Sequence, residues 1–262
     1  RRTRENMPAL LGLFRAADTP VTWATIGHLF LDRCSCDNGG PHPEIARLPY
    51  FEHELWRFRS GDWFDDDPCT DVGRDPEWYA PDILDAIATA DPRHEIGCHS
   101  FSHVDLSDAV CPQEVDRDEL RACLASAAAR GIRLETLVFP GNRSGNLRAL
   151  AAAGFSGYRL HAREHLSLPR RDEHGMWQVP GGVCWERPPG WPVKSWIAAL
   201  RRCVDRAADT RTILHLWFHP SCERVNVEEV FPAVLEYAGS SGRSFWRPTM
   251  RDVVRWCSGQ GG

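Results

Sequence analysis

The feature that most restricts the fold is an alternation: short apolar stretches trade places with amphipathic helical stretches through most of the 262 residues. Met7, Leu10, Leu11, Leu13 and Phe14 recur at helical spacing over residues 5–17, and Thr19-Pro20 ends the run. VTWATIG (21–27) follows as a short buried strand. DPEWYAPDILDAIATA reads as a helix, HEIGCHS as a strand, and CPQEVDRDELRACLASAAARG as a long helix closed by Gly131. The pattern repeats with ETLVFPG (strand), SGNLRALAAAG (helix) and GYRL (strand). It resumes with VKSWIAALRRCVDRAA (helix), TRTILHLWF (strand), and helices at VEEVFPAVLEYAG and TMRDVVRWC. Residues 33–75, rich in Cys, Asp, Gly and Pro, show neither period and read as a long excursion. Such alternation predicts parallel β-α units, in a barrel by preference over an open doubly wound sheet. In a barrel, chemistry collects where strands end, and His99, His103, Asn142 and His219 fall at such positions.

The chain reads as one domain spanning 1–262, with no linker, internal repeat or low-complexity tract. A net charge of -5 and only short, acid-flanked Arg pairs leave no basic field for a phosphate backbone, so nucleic acid is not expected as a partner. No apolar run reaches the roughly 18–20 residues of a transmembrane segment. The ten cysteines are irregularly spaced in a chain too large to need staples, which predicts scattered buried thiols and a reducing, cytoplasmic setting. Cys34 and Cys36 form C-x-C, with no second pair at zinc-ribbon spacing.

HEIGCHSFSHVD (94–105) places His99 and His103 four residues apart at the end of a predicted strand. Neutral imidazoles at this spacing can converge on one divalent cation if the backbone between them makes about one helical turn. A hydrolytic zinc site normally uses three protein ligands, so the pair is incomplete by itself. The alternative is one packed and one solvated histidine.

The pair and its context resemble the H-[ST]-x-x-H signature of the polysaccharide deacetylase family, the NodB-type carbohydrate esterases. MPALLGLFRAADTPVTWATIGHLFLD is similar to that family's first helix and A-T-F-F-V strand. LVFPGNRSGNLRALAAAGFSGYR is similar to its third motif and L-x-x-A-G-F, and TILHLWFHP to the strand that delivers a catalytic histidine. The likeness covers most of residues 7–257.

This resemblance implies a distorted, seven-stranded (β/α) barrel, incomplete at the N-terminus. It implies a divalent metal, zinc above others, held by His99, His103 and one Asp. The family's T-F-D-D motif precedes the first helix, so that third ligand and the base aspartate are expected upstream of Arg1. His219 is the expected general acid, with His215 deeper in the strand as a packed histidine. Asn142 and Arg143 are expected beside the substrate; Gly141 stands where relatives carry an Arg, and Arg143 is the candidate for that role.

Phe64-Asp65-Asp66-Asp67 mimics the aspartate motif but follows no strand, and reads as a solvated acidic turn. Asp105 is a candidate to orient an imidazole, against an ordinary loop role. Of eleven tryptophans, Trp63, Trp177, Trp185 and Trp191 lie in loop-like segments, and PGGVCWERPPGW, with Trp185, is the candidate substrate rim. Together these predict a metal-dependent hydrolase removing an N-acyl group from an amino sugar or glycan. The alternatives are a small-amide hydrolase or deformylase on the same fold, and a non-catalytic sugar-binding remnant.

Overall fold

The computed structural model describes residues 1–37, 40–48, 64–161 and 166–259. Trp63 and most of the LPYFEHELWRF stretch lie outside the described residues.

Strand β1 (Thr22–Thr25) pairs in parallel with β2 (Glu95–Cys98). The ladder continues in parallel to β3 (Thr136–Val138), β4 (Gly157–His161) and β5 (Trp177–Gly181). Arg170–Arg171 adds an antiparallel edge to β5, completing a six-stranded sheet. Through Gly182 the chain enters β6 (Val183–Cys184), which runs parallel to β7 (Leu216–Trp217). The parallel strands lie in chain order, without the reversal that defines a doubly wound sheet, an order compatible with the expected (β/α) barrel. Among the described residues, hydrogen bonds join six strands in one sheet and leave the β6–β7 pair separate.

The helices are α1 (Arg2–Ala16), α2 (Pro81–Ala88), α3 (Gln113–Ala128), α4 (Leu147–Ala152), α5 (Val193–Thr210), α6 (Phe231–Ser240) and α7 (Met250–Cys257). Each turns an apolar stripe inward: Met7, Leu10 and Phe14 from α1, and Val115, Leu120 and Cys123 from α3, join one core with Trp23, Ile96, Leu137 and Tyr158 of the sheet. The predicted helix at 75–90 begins only at Pro81, because Pro fits the first turn and the preceding residues form turns. At the amino ends of the strands, buried Glu95 accepts from the hydroxyls of Thr22 and Thr136, both at 2.7 Å, and from Arg251 N–H at 2.8 Å. These bonds tie β1, β2, β3 and α7 together at the end opposite His99.

Two expectations are corrected here. Cys36 and Cys69 form a disulfide, whereas the spacing predicted thiols only; their Cα atoms meet 5.6 Å apart because the excursion folds back on itself. The segment read as a loop-like rim instead supplies β6, with Trp177 already within β5. A Cβ on Gly182 would lie 2.3 Å from His215 O, so only glycine lets the two chains approach there. No described helix is long and apolar enough to cross a membrane.

Candidate active site

β2 ends at Cys98, and His99 still bonds like a strand residue, donating its N–H to Thr25 O at 3.0 Å. The chain then turns through left-handed conformations at Ser100 (φ 59°) and His103 (φ 71°) rather than through the expected helical turn. The turn is held from behind by Glu119 of α3. Its carboxylate is buried and accepts Phe101 N–H (2.8 Å), Ser102 N–H (2.9 Å) and Ser102 Oγ–H (2.6 Å). A buried carboxylate collecting three donors fixes a loop far better than local propensity does. The rings of His99 and His103 come to 4.8 Å between centroids at 69°.

His99 donates from Nδ1 to Val138 O at 2.6 Å, which leaves Nε2 as its lone-pair nitrogen. Burial, then the neighbouring His103, pushes His99 down to about 3; burial, then His219, pushes His103 down to about 4. Both rings are therefore neutral at ordinary pH, the form that binds metals.

Around the pair, β4 presents Arg159, which donates to Asn142 Oδ1 and sits 5.1 Å over the Trp217 ring. Burial lowers Arg159 to about 10, so its charge persists at neutral pH and bears on His99. Trp217 lies 5.6 Å from His219. His219, just past β7, takes Glu186 as partner: Glu186 Oε1 accepts the backbone N–H at 2.7 Å and Nδ1–H at 2.8 Å. Burial alone would raise Glu186, but the His219 side-chain and backbone hydrogen bonds outweigh it and hold Glu186 below the usual range. His215 donates Nδ1–H to Pro180 O at 3.1 Å and is half-buried. Sequence reasoning missed Arg159 and Glu186. The signals were an arginine inside the short strand GYRL and an acid flanked by Trp and Arg in CWERP.

The remaining expected residues take other positions. Arg143 pairs with Asp105, a fully buried carboxylate that also accepts Ser107 N–H at 2.8 Å, so these two tie the loops after β2 and β3 together. Asp105 is thus engaged with Arg143 and the backbone. Trp185 is corrected from rim to core: it is 4% exposed and packs on Phe14, Phe218 and Phe231, because the apolar ring gains more from that cavity than from solvent. Asp67 is corrected from solvated turn to buried carboxylate, its side chain 1% exposed against His28.

Neutral imidazoles at 99 and 103, with Nε2 of His99 left over, have the donor chemistry for two positions of a divalent cation such as zinc. Among the described residues no further His, Cys, Asp or Glu atom joins them in a metal-sized group.

The mixed α/β fold, with its mostly parallel sheet, is shared with solved structures that include proteins assigned as polysaccharide deacetylases. A Pseudomonas aeruginosa PAO1 protein assigned as a polysaccharide deacetylase superposes with a TM-score of 0.64 at 14% identity, covering 98% of this chain and 74% of that one. Puue allantoinase gives a TM-score of 0.64 at 15% identity, covering 98% and 74%. A Mycobacterium smegmatis protein assigned as a polysaccharide deacetylase gives 0.62 at 14% identity, covering 97% and 77%. No family model and no curated protein matches the sequence.

Proposed function

We propose that the chain is a hydrolase of the polysaccharide deacetylase type, opening the carbon–nitrogen bond of an N-acyl amino sugar, with acetyl as the group removed. The observation that carries this reading is the His99–His103 pair held close together, with His219 and Arg159 bearing electrostatically on it. His99 and His103 would hold the divalent cation, zinc by donor chemistry, with oxygen donors from beyond these residues completing its shell. When bound, the cation supplies Lewis acidity toward the acyl oxygen.

Water would add to the acyl carbon and give its proton to a carboxylate base of the kind the family resemblance implies, and the described groups serve the departing amine and the developing charge. His219, oriented through Nδ1 by Glu186, presents Nε2 for proton delivery to the departing amine. Arg159, its charge retained and bearing on His99, would favour negative charge developing on the acyl oxygen. Asn142 fixes that guanidinium from one side and Trp217 from below, where an aromatic face also suits a sugar ring.

A small-amide substrate is the second reading, favoured by the allantoinase among the structural neighbours. The test incubates zinc-, cobalt- or nickel-loaded protein with N-acetylated amino sugars, their oligomers, N-formyl analogues and small cyclic ureides. Acetate release that is lost in His99→Ala and His219→Ala supports the first reading, and ammonia or formate release the second. No product from any of these substrates, with wild type and variants alike, refutes both.

A further inference from the structure

Behind the loop that carries His99 and His103 lies a second constellation that the proposed hydrolysis does not use. His28, in the turn after β1, and Cys34, His42 and Asp67 of the excursion bring four potential ligand atoms within 4.8 Å of one another. We infer that these four residues form a structural zinc site, Cys-His₂-Asp, independent of the candidate active site.

The hydrogen-bond chemistry around them suits a bound cation. His28 Nδ1 faces the Trp78 carbonyl at 3.0 Å, where only an N–H can point. In a neutral ring this leaves a lone pair on Nε2, yet Nε2 faces Asp67 Oδ2 at 3.0 Å, an acceptor against an acceptor. His42 repeats the arrangement: Nδ1 is 3.5 Å from the Glu44 carboxylate and Nε2 is 3.4 Å from the same Asp67 Oδ2. That Nε2 is buried, on a side chain 10% exposed, and makes no hydrogen bond. A divalent cation among these atoms converts both conflicts into ligand bonds.

The second layer of contacts points the same way. A carbonyl or carboxylate on Nδ1 is the usual way a metal-binding histidine is oriented. Cys34 Sγ lies 3.4 Å from both Asp67 oxygens and 3.1 Å from Tyr79 Oη. Tyr79 Oη already accepts Thr70 N–H at 3.0 Å, so its own proton is available to a thiolate. Asp67 Oδ1 accepts Cys69 N–H at 2.9 Å, and the Cys36–Cys69 disulfide clamps the two segments that supply Cys34 and Asp67.

Charge and geometry agree. Zinc displaces the Cys34 proton to solvent, and Zn²⁺ with one thiolate, one carboxylate and two neutral imidazoles is a neutral set, the form a buried site tolerates. Tetrahedral zinc spaces its donors roughly 3.3–3.8 Å apart, so small rotations close the shell. The site would also brace the active-site loop, since Phe101, between His99 and His103, packs 5.0 Å from His42 and 5.8 Å from His28.

The test uses the full chain, without a polyhistidine tag, loaded with cobalt(II) alone. A thiolate-to-cobalt charge-transfer band in the near ultraviolet is expected, because the His99–His103 pair offers no sulfur. The band persists in H99A/H103A and disappears in Cys34→Ser, whose affinity at this site falls by more than the about 10- to 100-fold typical of losing an outer partner. Stoichiometric zinc in H99A/H103A supports the site even if every hydrolysis assay is negative. Cobalt bound by the wild type without a sulfur band, or H99A/H103A protein that takes up no zinc, overturns it and leaves an imidazolium–carboxylate cluster.

Discussion

Glu186 Oε1 accepts two hydrogen bonds from one residue, the backbone N–H of His219 at 2.7 Å and its ring Nδ1–H at 2.8 Å. The bidentate grip fixes the backbone position and ring orientation of a side chain that is otherwise 67% exposed. A histidine so exposed gains little orientation from packing, and the carboxylate supplies it.

Glu186→Gln is accordingly expected to lower kcat on the N-acyl amino sugar proposed as substrate while leaving KM nearly unchanged. Removing the ring entirely in His219→Ala is expected to cost about 10²- to 10⁴-fold in kcat. Steady-state kinetics across pH separates the two. A Glu186→Gln enzyme with wild-type kcat at every pH would remove Glu186 from the proton-delivery role.

The Asp105–Arg143 pair makes a stability prediction of a different kind. Arg143→Ala strands a fully buried carboxylate and is expected to cost about 3 kcal/mol, the lower end of the range for breaking a buried pair because Arg143 is 30% exposed. Asp105→Asn removes the charge yet can keep the bond from Ser107 N–H, and is expected to cost about 1 kcal/mol. Urea unfolding of both variants checks the order, and equal losses would show that the guanidinium does not compensate Asp105.

Asp116, in the first turn of α3, is buried with one carboxylate oxygen unpartnered. Burial first, then the charges of Glu119 and Asp108, pushes it up to about 7. The folded state therefore holds a proton that the unfolded chain releases near the ordinary aspartate value of about 4. Stability from this group is complete below pH ~4 and is lost as pH rises toward 7. Asp116→Asn is expected to stabilise the protein at pH 8 by up to about 4 kcal/mol and to change little at pH 4. Thermal melts at the two pH values give the comparison, and equal shifts at both would contradict the assignment.

Trp185 separates a core role from a rim role. Trp185→Ala is expected to cost about 3–5 kcal/mol by opening a cavity beside Phe218 and Phe231. Trp185→Phe keeps most of the volume and should leave KM unchanged, whereas a several-fold rise in KM in a stable Trp185→Phe protein would return the ring to the substrate pocket.

What the sequence determined by itself is the local layer. Among the described residues, period and punctuation located the seven α-helices to within a few residues, apart from the late start of α2, and located β1 to β4. The His-x-x-x-His spacing, together with its resemblance to a family signature, singled out the loop after β2, where the two rings lie 4.8 Å apart. Tertiary structure decided what depends on neighbours distant in the chain. Pro180 and Gln178 hide β5 from any two-residue period, and the strand exists because β4 offers it a parallel partner. Glu186 meets His219 across 33 positions and Asp67 meets His28 across 39, and nothing local to an acidic stretch tells a solvated carboxylate from a buried one. Burial and partner choice are properties of the assembled chain, because the free energy of a charge is set by what surrounds it, and sequence order does not list those surroundings.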